Sequence, residues 1–202
     1  MRRNSSITAK VAVRKNLIRL LDVDDPWILD AFCGAGSMHR EAYNSTKNYL
    51  GLDVNFYDDD RKTIVCDNTR MLRQLDIEPF DIFDLDAYGS PLNAFVLICS
   101  RLKWGTKSKV GVVMTEGSGL NAKWNNLAKE IFTFVDMKEH KKTRFQHEEK
   151  DTILFMAIIK GGQLANAEIK HLEVLTKETR KDSGCPIRYV SFVMEKKEND
   201  VS

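Results

Sequence analysis

Apolar and polar positions along this chain follow two periods that take turns. In ITAKVAVRKNLIRLL, residues 7–21, Ile7, Val11, Leu17, Leu20 and Leu21 recur at near-helical spacing. This predicts a leading helix with a basic side, Lys10, Arg14 and Lys15 lying toward another face. PWILDAFCGAG then gives a short apolar strand broken by glycines, which open into a helical SMHREAY. YLGLDV predicts a second strand ending near Asp53, and KTIVCD a third ending near Asp67. A short helix around NTRMLRQL leads to a fourth strand, FDIFDLD, and residues 91–103, PLNAFVLICSRLK, predict a helix begun near a proline. KVGVVMT follows as a fifth strand.

Further along, 121–134 has the pattern of an amphipathic helix, and the charged EHKKTRFQHEEK at 139–150 reads as a surface excursion. EEKDTILFMAIIKGG is expected to be a helix stopped by its two glycines. EIKHLEVLTKE and PIRYVSFVMEKK predict two closing strands joined by a polar turn around Asp182, Ser183 and Gly184. Strands alternating with helices imply an α/β fold, a mostly parallel sheet covered on both faces with ligands outside the carboxyl ends of the strands. The closing pair, with no clear helix between its members, is expected to add one antiparallel strand at an edge. With no internal repeat and no long linker, residues 1–202 read as one domain.

Composition narrows this picture only slightly. A chain of 202 residues with 43% apolar content suffices for one well-buried core. The net charge of +2, from 31 basic and 29 acidic residues, neither requires nor excludes a nucleic-acid partner, because such a surface needs a patch rather than a balance. Distribution says more, since Arg2, Arg3, Lys10, Arg14, Lys15 and Arg19 precede the first acid, while Asp58, Asp59 and Asp60 cluster in one loop. No apolar run is long enough to span a bilayer and no signal-peptide pattern opens the chain, so a soluble, cytoplasmic location is the expectation. Cys33, Cys66, Cys99 and Cys185, like His39, His140, His147 and His171, lack metal-ligand spacing. The cysteines read as free and mostly buried.

The candidate chemistry sits at strand ends. In DAFCGAG, Gly34 and Gly36 permit backbone dihedrals and close approaches that a Cβ would obstruct, and Asp30 adds a carboxylate at the same end. Asp53 is placed to accept ribose hydroxyls, as an acid ending the second strand does in dinucleotide folds. Asp67 ends the third strand within reach of an adenine amine. Each has a plainer reading, a ligand-free tight turn or a solvated acid or helix cap. Four successive strand ends carrying acids weigh against that reading.

The fourth end is DLDAYGSP, residues 84–91. Together, DAFCGAG, LGLDV, CDN and DLDAYGSP resemble the motifs of class I S-adenosylmethionine-dependent methyltransferases across about residues 25–117. DLDAYGSP more narrowly resembles the DLDPYGSP or DLDPFGSP segment of tRNA guanine N2-dimethyltransferases. Ala87 replaces the usual proline, and the large additional C-terminal domain of those enzymes has no counterpart in this sequence. The resemblance implies a Rossmann-like fold with a mostly parallel seven-stranded sheet and S-adenosyl-L-methionine as cofactor. It assigns Asp30, Phe32, Gly34, Gly36, Asp53, Asp67, Asn68 and Asp84 to the cofactor and Asp86 and Tyr88 to catalysis. Asp84 shares a strand face with Asp86 but lies nearer the core, where a charge must be paired, so structural hydrogen bonding competes with its ligand role.

An exocyclic base amine becomes a better methyl acceptor when a carboxylate holds its hydrogens and favours a tetrahedral nitrogen. Asp86 fits that task and could help remove the proton, while Tyr88 would stack on the base. No metal is implied. Transfer to guanine N2 in tRNA or another RNA is therefore the leading expectation, ahead of adenine N6 or cytosine N4 in DNA and of a non-catalytic scaffold subunit. RNA is favoured as partner, with a second copy or a protein partner available to complete substrate recognition. Lys141, Lys142, Arg144 and Phe145 form a weaker candidate nucleic-acid contact, diluted by Glu139, Glu148 and Glu149. Ser90 and Glu116 are expected as a helix cap and a strand-end acid, and Trp27, Phe32 and Phe83 as core or pocket wall.

Overall fold

A computed structural model describes residues 5–118, 127–139, 148–177 and 186–198. Its strands are β1 (Ile28–Asp30), β2 (Tyr49–Asp53), β3 (Thr63–Val65), β4 (Ile82–Leu85), β5 (Lys109–Glu116), β6 (Ala167–Lys177) and β7 (Ile187–Lys196). The α-helices are α1 (Ser5–Leu21), α2 (Asn68–Leu72), α3 (Leu92–Arg101), α4 (Lys129–Phe134) and α5 (Lys150–Leu164), with a π-helical turn at His39–Tyr43. All seven strands form one sheet in the order β3-β2-β1-β4-β5-β7-β6. Neighbours from β3 to β5 pair in parallel, while β7 runs antiparallel to both β5 and β6. The expected antiparallel strand is thus β7, one place in from the edge, and β6 forms the edge itself.

Alternation along the strands divides the interior into two cores. Leu29, Phe83, Leu85, Val112 and Met114 pack beneath α3, α4 and α5, whereas Ile28, Ile82, Val113 and Val193 pack against Val13, Leu17 and Leu21 of α1. Of the row predicted by the apolar spacing, Leu17 and Leu21 are buried, but Ile7 is exposed and the buried face is completed by Val13 and Arg14. Ordered pairing, Ile28 opposite Ile82 and Asp30 opposite Asp84, places the strand-end acids of β1 and β4 side by side on the α1 face.

Gly161 and Gly162 do not stop α5. The helix runs through both to Leu164, because their lack of a side chain lets it approach the sheet and α3 closely. A Cβ on Gly161 would meet Phe95 at 2.4 Å, and one on Gly162 would meet Ile169 at 2.9 Å. Phe95 is fully buried and edge-on to Phe192, so it has little room to yield. Gly161→Ala should destabilise the protein by about 1–3 kcal/mol despite alanine's better helix propensity. Urea unfolding would check this, and a stabilised variant would mean that α5 shifts freely.

Two expected segments fall wholly or partly outside the described residues: the start of the 121–134 helix, and the stretch 140–147 holding Lys141, Lys142, Arg144 and Phe145. The turn at Asp182, Ser183 and Gly184, with Cys185, lies outside them too. Cys33, Cys66 and Cys99 are free thiols. Trp27 is 42% exposed and edge-on to Phe80, so it is not a core residue, whereas Phe83 is fully buried. Among the described residues no helix is long and apolar enough to cross a membrane, and no acidic, His or Cys cluster could hold a metal ion.

Candidate active site

The carboxyl ends of β1 and β4 lie side by side against α1, and that of β2 adjoins β1. Four residues of α-helix rise about 6 Å, and two residues of strand about 6.6 Å. Lys10 and Arg14 therefore step down the helix at nearly the same interval as Asp86 and Asp84 step along β4 and its extension. The result is a two-rung ladder: Lys10 Nζ lies 2.6 Å from Asp86 Oδ1 and 2.7 Å from Oδ2. Arg14 donates to both oxygens of Asp84, at 2.5 and 2.7 Å. Lys10 and Arg14, on the basic side of α1 that the sequence predicts, thus face the site, whereas Lys15 is exposed.

Beneath Asp86 the network is buried. Asp84 has no exposed surface and also accepts from the Tyr43 hydroxyl at 2.7 Å. It therefore supports the site from below, held by Arg14 and Tyr43, which is the structural hydrogen-bonding role that its depth in the strand suggested. Asp30, equally buried, accepts from the Tyr49 hydroxyl at 2.9 Å and from the Phe32 amide. Two acids sit on adjacent strands, and the guanidinium between them is taken by Asp84. Burial, reinforced by repulsion from Asp84, accordingly holds the Asp30 carboxyl well above the ordinary range. Arg14 stays charged: burial would lower its pKa, but Asp84, Tyr43 and Asp86 outweigh it and raise it.

Gly34 and Gly36 both adopt positive φ, 47° and 76°, as the turn after β1 requires. The loop is tied on two sides. Asp53 Oδ2 accepts from the Gly34 amide at 2.9 Å, and Arg61 donates to the Cys33 and Gly34 carbonyls at 3.2 and 2.9 Å. Arg61, oriented by Asp59, is a site residue that the sequence reading overlooked, since it sits inside an acidic loop with nothing to mark it. A Cβ on Gly36 would strike its guanidinium at 2.7 Å, so the second glycine makes room for that latch.

Farther along the sheet, Asp67 caps α2 by accepting from the Arg70 amide at 2.6 Å, which realises its plainer reading. Its neighbour Asn68 is 9% exposed, and its Oδ1 has no partner among the described residues. Beyond β4, Tyr88 projects fully into solvent at 110% relative exposure. Ser90 donates to Glu116 at 3.1 Å and receives only a 3.4 Å contact from the Leu92 amide, so its main role is to tie the turn to β5.

Two clefts open on this surface. One, of about 260 Å³, is lined by the glycine loop with Asp30, Phe32 and Met38. The other, of about 610 Å³, runs between Tyr88, Thr115 and Gly117 on one side and Lys177, Ile187 and Tyr189 on the other. Lys10 and Asp86 line both. Burial would raise the Asp86 carboxyl, but Arg14 and Lys10 outweigh it and hold the group below the usual carboxylate range.

This architecture is the Rossmann-like class I methyltransferase fold: a mostly parallel seven-stranded sheet with β7 reversed, flanked by helices on both faces. Solved structures with this fold include magnesium protoporphyrin IX methyltransferase from Synechocystis with bound S-adenosylhomocysteine, at TM-score 0.54 and 14% identity over 93% of this chain and 82% of that one. M. jannaschii TYW2 in complex with S-adenosylmethionine gives 0.53 and 11% over 98% and 78%. A Pyrococcus horikoshii protein provisionally designated an RNA methyltransferase gives 0.55 and 13% over 96% and 84%. No family model and no curated protein matches the chain.

Proposed function

We propose that this protein transfers a methyl group from S-adenosylmethionine to an exocyclic amine of a nucleic-acid base, with guanine N2 in RNA as the preferred target. The observation that carries this is the position of Asp86. It forms the shared wall of a glycine-lined cleft and a wider cleft rimmed by a fully exposed tyrosine. A donor in the first cleft and an amine in the second would meet across that carboxylate.

The residues fit the cofactor. The loop at Gly34 offers close backbone approach, and Asp53 stands beside it as an acceptor for ribose hydroxyls. The unpartnered Asn68 Oδ1 is an acceptor suited to an adenine amine. When bound, S-adenosylmethionine supplies an electrophilic methyl on a sulfonium. Asp86 accepts hydrogen bonds from the acceptor amine, directs its lone pair away from the ring and stabilises the positive charge that builds on nitrogen. Arg14, 3.5 Å from its Oδ2, stays beside Asp86. The charged carboxylate acts electrostatically on the developing cation, and the proton released from nitrogen passes to solvent. Tyr88 offers its ring face to the base.

Incubation with radiolabelled S-adenosylmethionine and separate tRNA, rRNA and DNA pools, followed by nucleoside analysis, tests the reading. Labelled N2-methylguanosine is expected. N6-methyladenine or N4-methylcytosine in DNA would move the target, and the absence of any labelled nucleoside would leave a binding or scaffold role.

Two substitutions probe the glycine loop and the wider cleft separately. Asp53→Ala should weaken S-adenosylmethionine binding by about 1.5–3 kcal/mol, the worth of a charge-assisted contact, and calorimetry on folded protein measures it. Equal affinities would remove Asp53 from the site. Tyr88→Phe should retain much of the transfer activity, while Tyr88→Ala loses stacking worth about 1–3 kcal/mol. Equal losses in both variants would shift the role of Tyr88 from its ring to its hydroxyl.

A further inference from the structure

We propose that Lys10 is a placeholder that the acceptor displaces: its ammonium occupies the amine position on Asp86 and, once displaced, pairs with a phosphate of the incoming substrate. The site would thereby select phosphate-bearing bases over free nucleosides. This rests on the base-amine reading of the site given above.

Lys10 Nζ lies within 2.7 Å of both Asp86 oxygens, where an acceptor amine that becomes cationic on methylation would have to sit. The two cations serving Asp86 differ in how firmly they are held. Arg14, 3.5 Å from Asp86 Oδ2, is fully buried, bidentate on Asp84 and also bonded to the Lys10 carbonyl. Lys10 hangs on a flexible stem at 23% side-chain exposure, on the boundary of both clefts, with its ammonium 5.9 Å from the centre of the Tyr189 ring. When Lys10 swings out, Arg14 remains, so Asp86 keeps a compensating charge while it receives the amine. The displaced ammonium then needs an anion. A neutral nucleoside brings none and breaks an ion pair without replacing it, whereas a nucleotide phosphate supplies the partner.

The test is calorimetric binding of guanosine, adenosine and cytidine, each beside its 5′-monophosphate, to the full chain saturated with S-adenosylhomocysteine. Wild type should prefer the monophosphate of its target base by about tenfold. Lys10→Met should bind the nucleoside about threefold more tightly, since a partly exposed ion pair no longer has to break, and should lose the phosphate preference. Lys10→Arg should keep the preference. If Lys10→Met lowers the melting temperature, Lys10→Gln serves the same comparison. A folded Lys10 variant that retains the preference, or binds the nucleoside less well than wild type, overturns the placeholder role and makes Lys10 a fixed support for Asp86. Binding of S-adenosylhomocysteine with no binding of any nucleoside or nucleotide overturns the base-amine reading itself, and the placeholder with it.

Discussion

Arg14→Met should cost the protein about 3–5 kcal/mol of folding stability, because it leaves Asp84 buried with no cation. Asp84 has no exposed surface, and Asp30 lies opposite it on β1, so losing the guanidinium brings two buried acids together without compensation. The apolar stem of methionine fills much of the vacated space, which confines the loss mainly to charge. The double variant Arg14→Met with Asp84→Leu should recover a large share of that stability, since an apolar pair of similar volume does not require desolvated charges. Guanidinium-induced unfolding of the single and double variants checks both statements. A single variant within about 1 kcal/mol of wild type would mean that water enters beneath α1 to solvate Asp84.

Asp86→Asn should slow methyl transfer by about a hundredfold or more at saturating substrate while leaving cofactor affinity nearly unchanged. The substitution keeps size and one acceptor oxygen but removes the charge that faces the developing cation. It also frees Lys10, whose ammonium would then approach a neutral amide and lose most of its hold. Single-turnover rates measured beside cofactor affinity separate the chemical step from binding. Wild-type transfer by the Asn variant would end the amine mechanism proposed for this carboxylate.

Much of this organisation was legible in the sequence because it is local. Apolar runs ending in Asp30, Asp53 and Asp86 mark strand ends directly, and Gly34 and Gly36 mark the turn between β1 and the following helical turn. The lost information is long-range. Lys10 and Arg14 read as the basic side of an amphipathic helix, and nothing near them in the chain announces carboxylate partners 70 to 76 residues away. The same blindness hid Arg61, whose role depends on a loop that precedes it by 27 residues. Gly161 and Gly162 misled for a related reason: a glycine pair looks like a helix stop until Phe95 and Ile169 are seen to need the space.

The packing of α1 also bears on how the molecule is made. The helix comes first in the described chain, yet its apolar row of Val13, Leu17 and Leu21 is covered by Ile82, Val113, Tyr189 and Val193, from β4, β5 and β7. During synthesis α1 leaves the ribosome long before those strands exist, and its buried arginine waits equally long for Asp84. Contacts of such wide sequence separation slow folding and prolong the exposure of apolar surface. Release of a short nascent chain should therefore yield a helix with nothing to dock on, and the late arrival of β7 is the event that locks α1 onto strands made long after it.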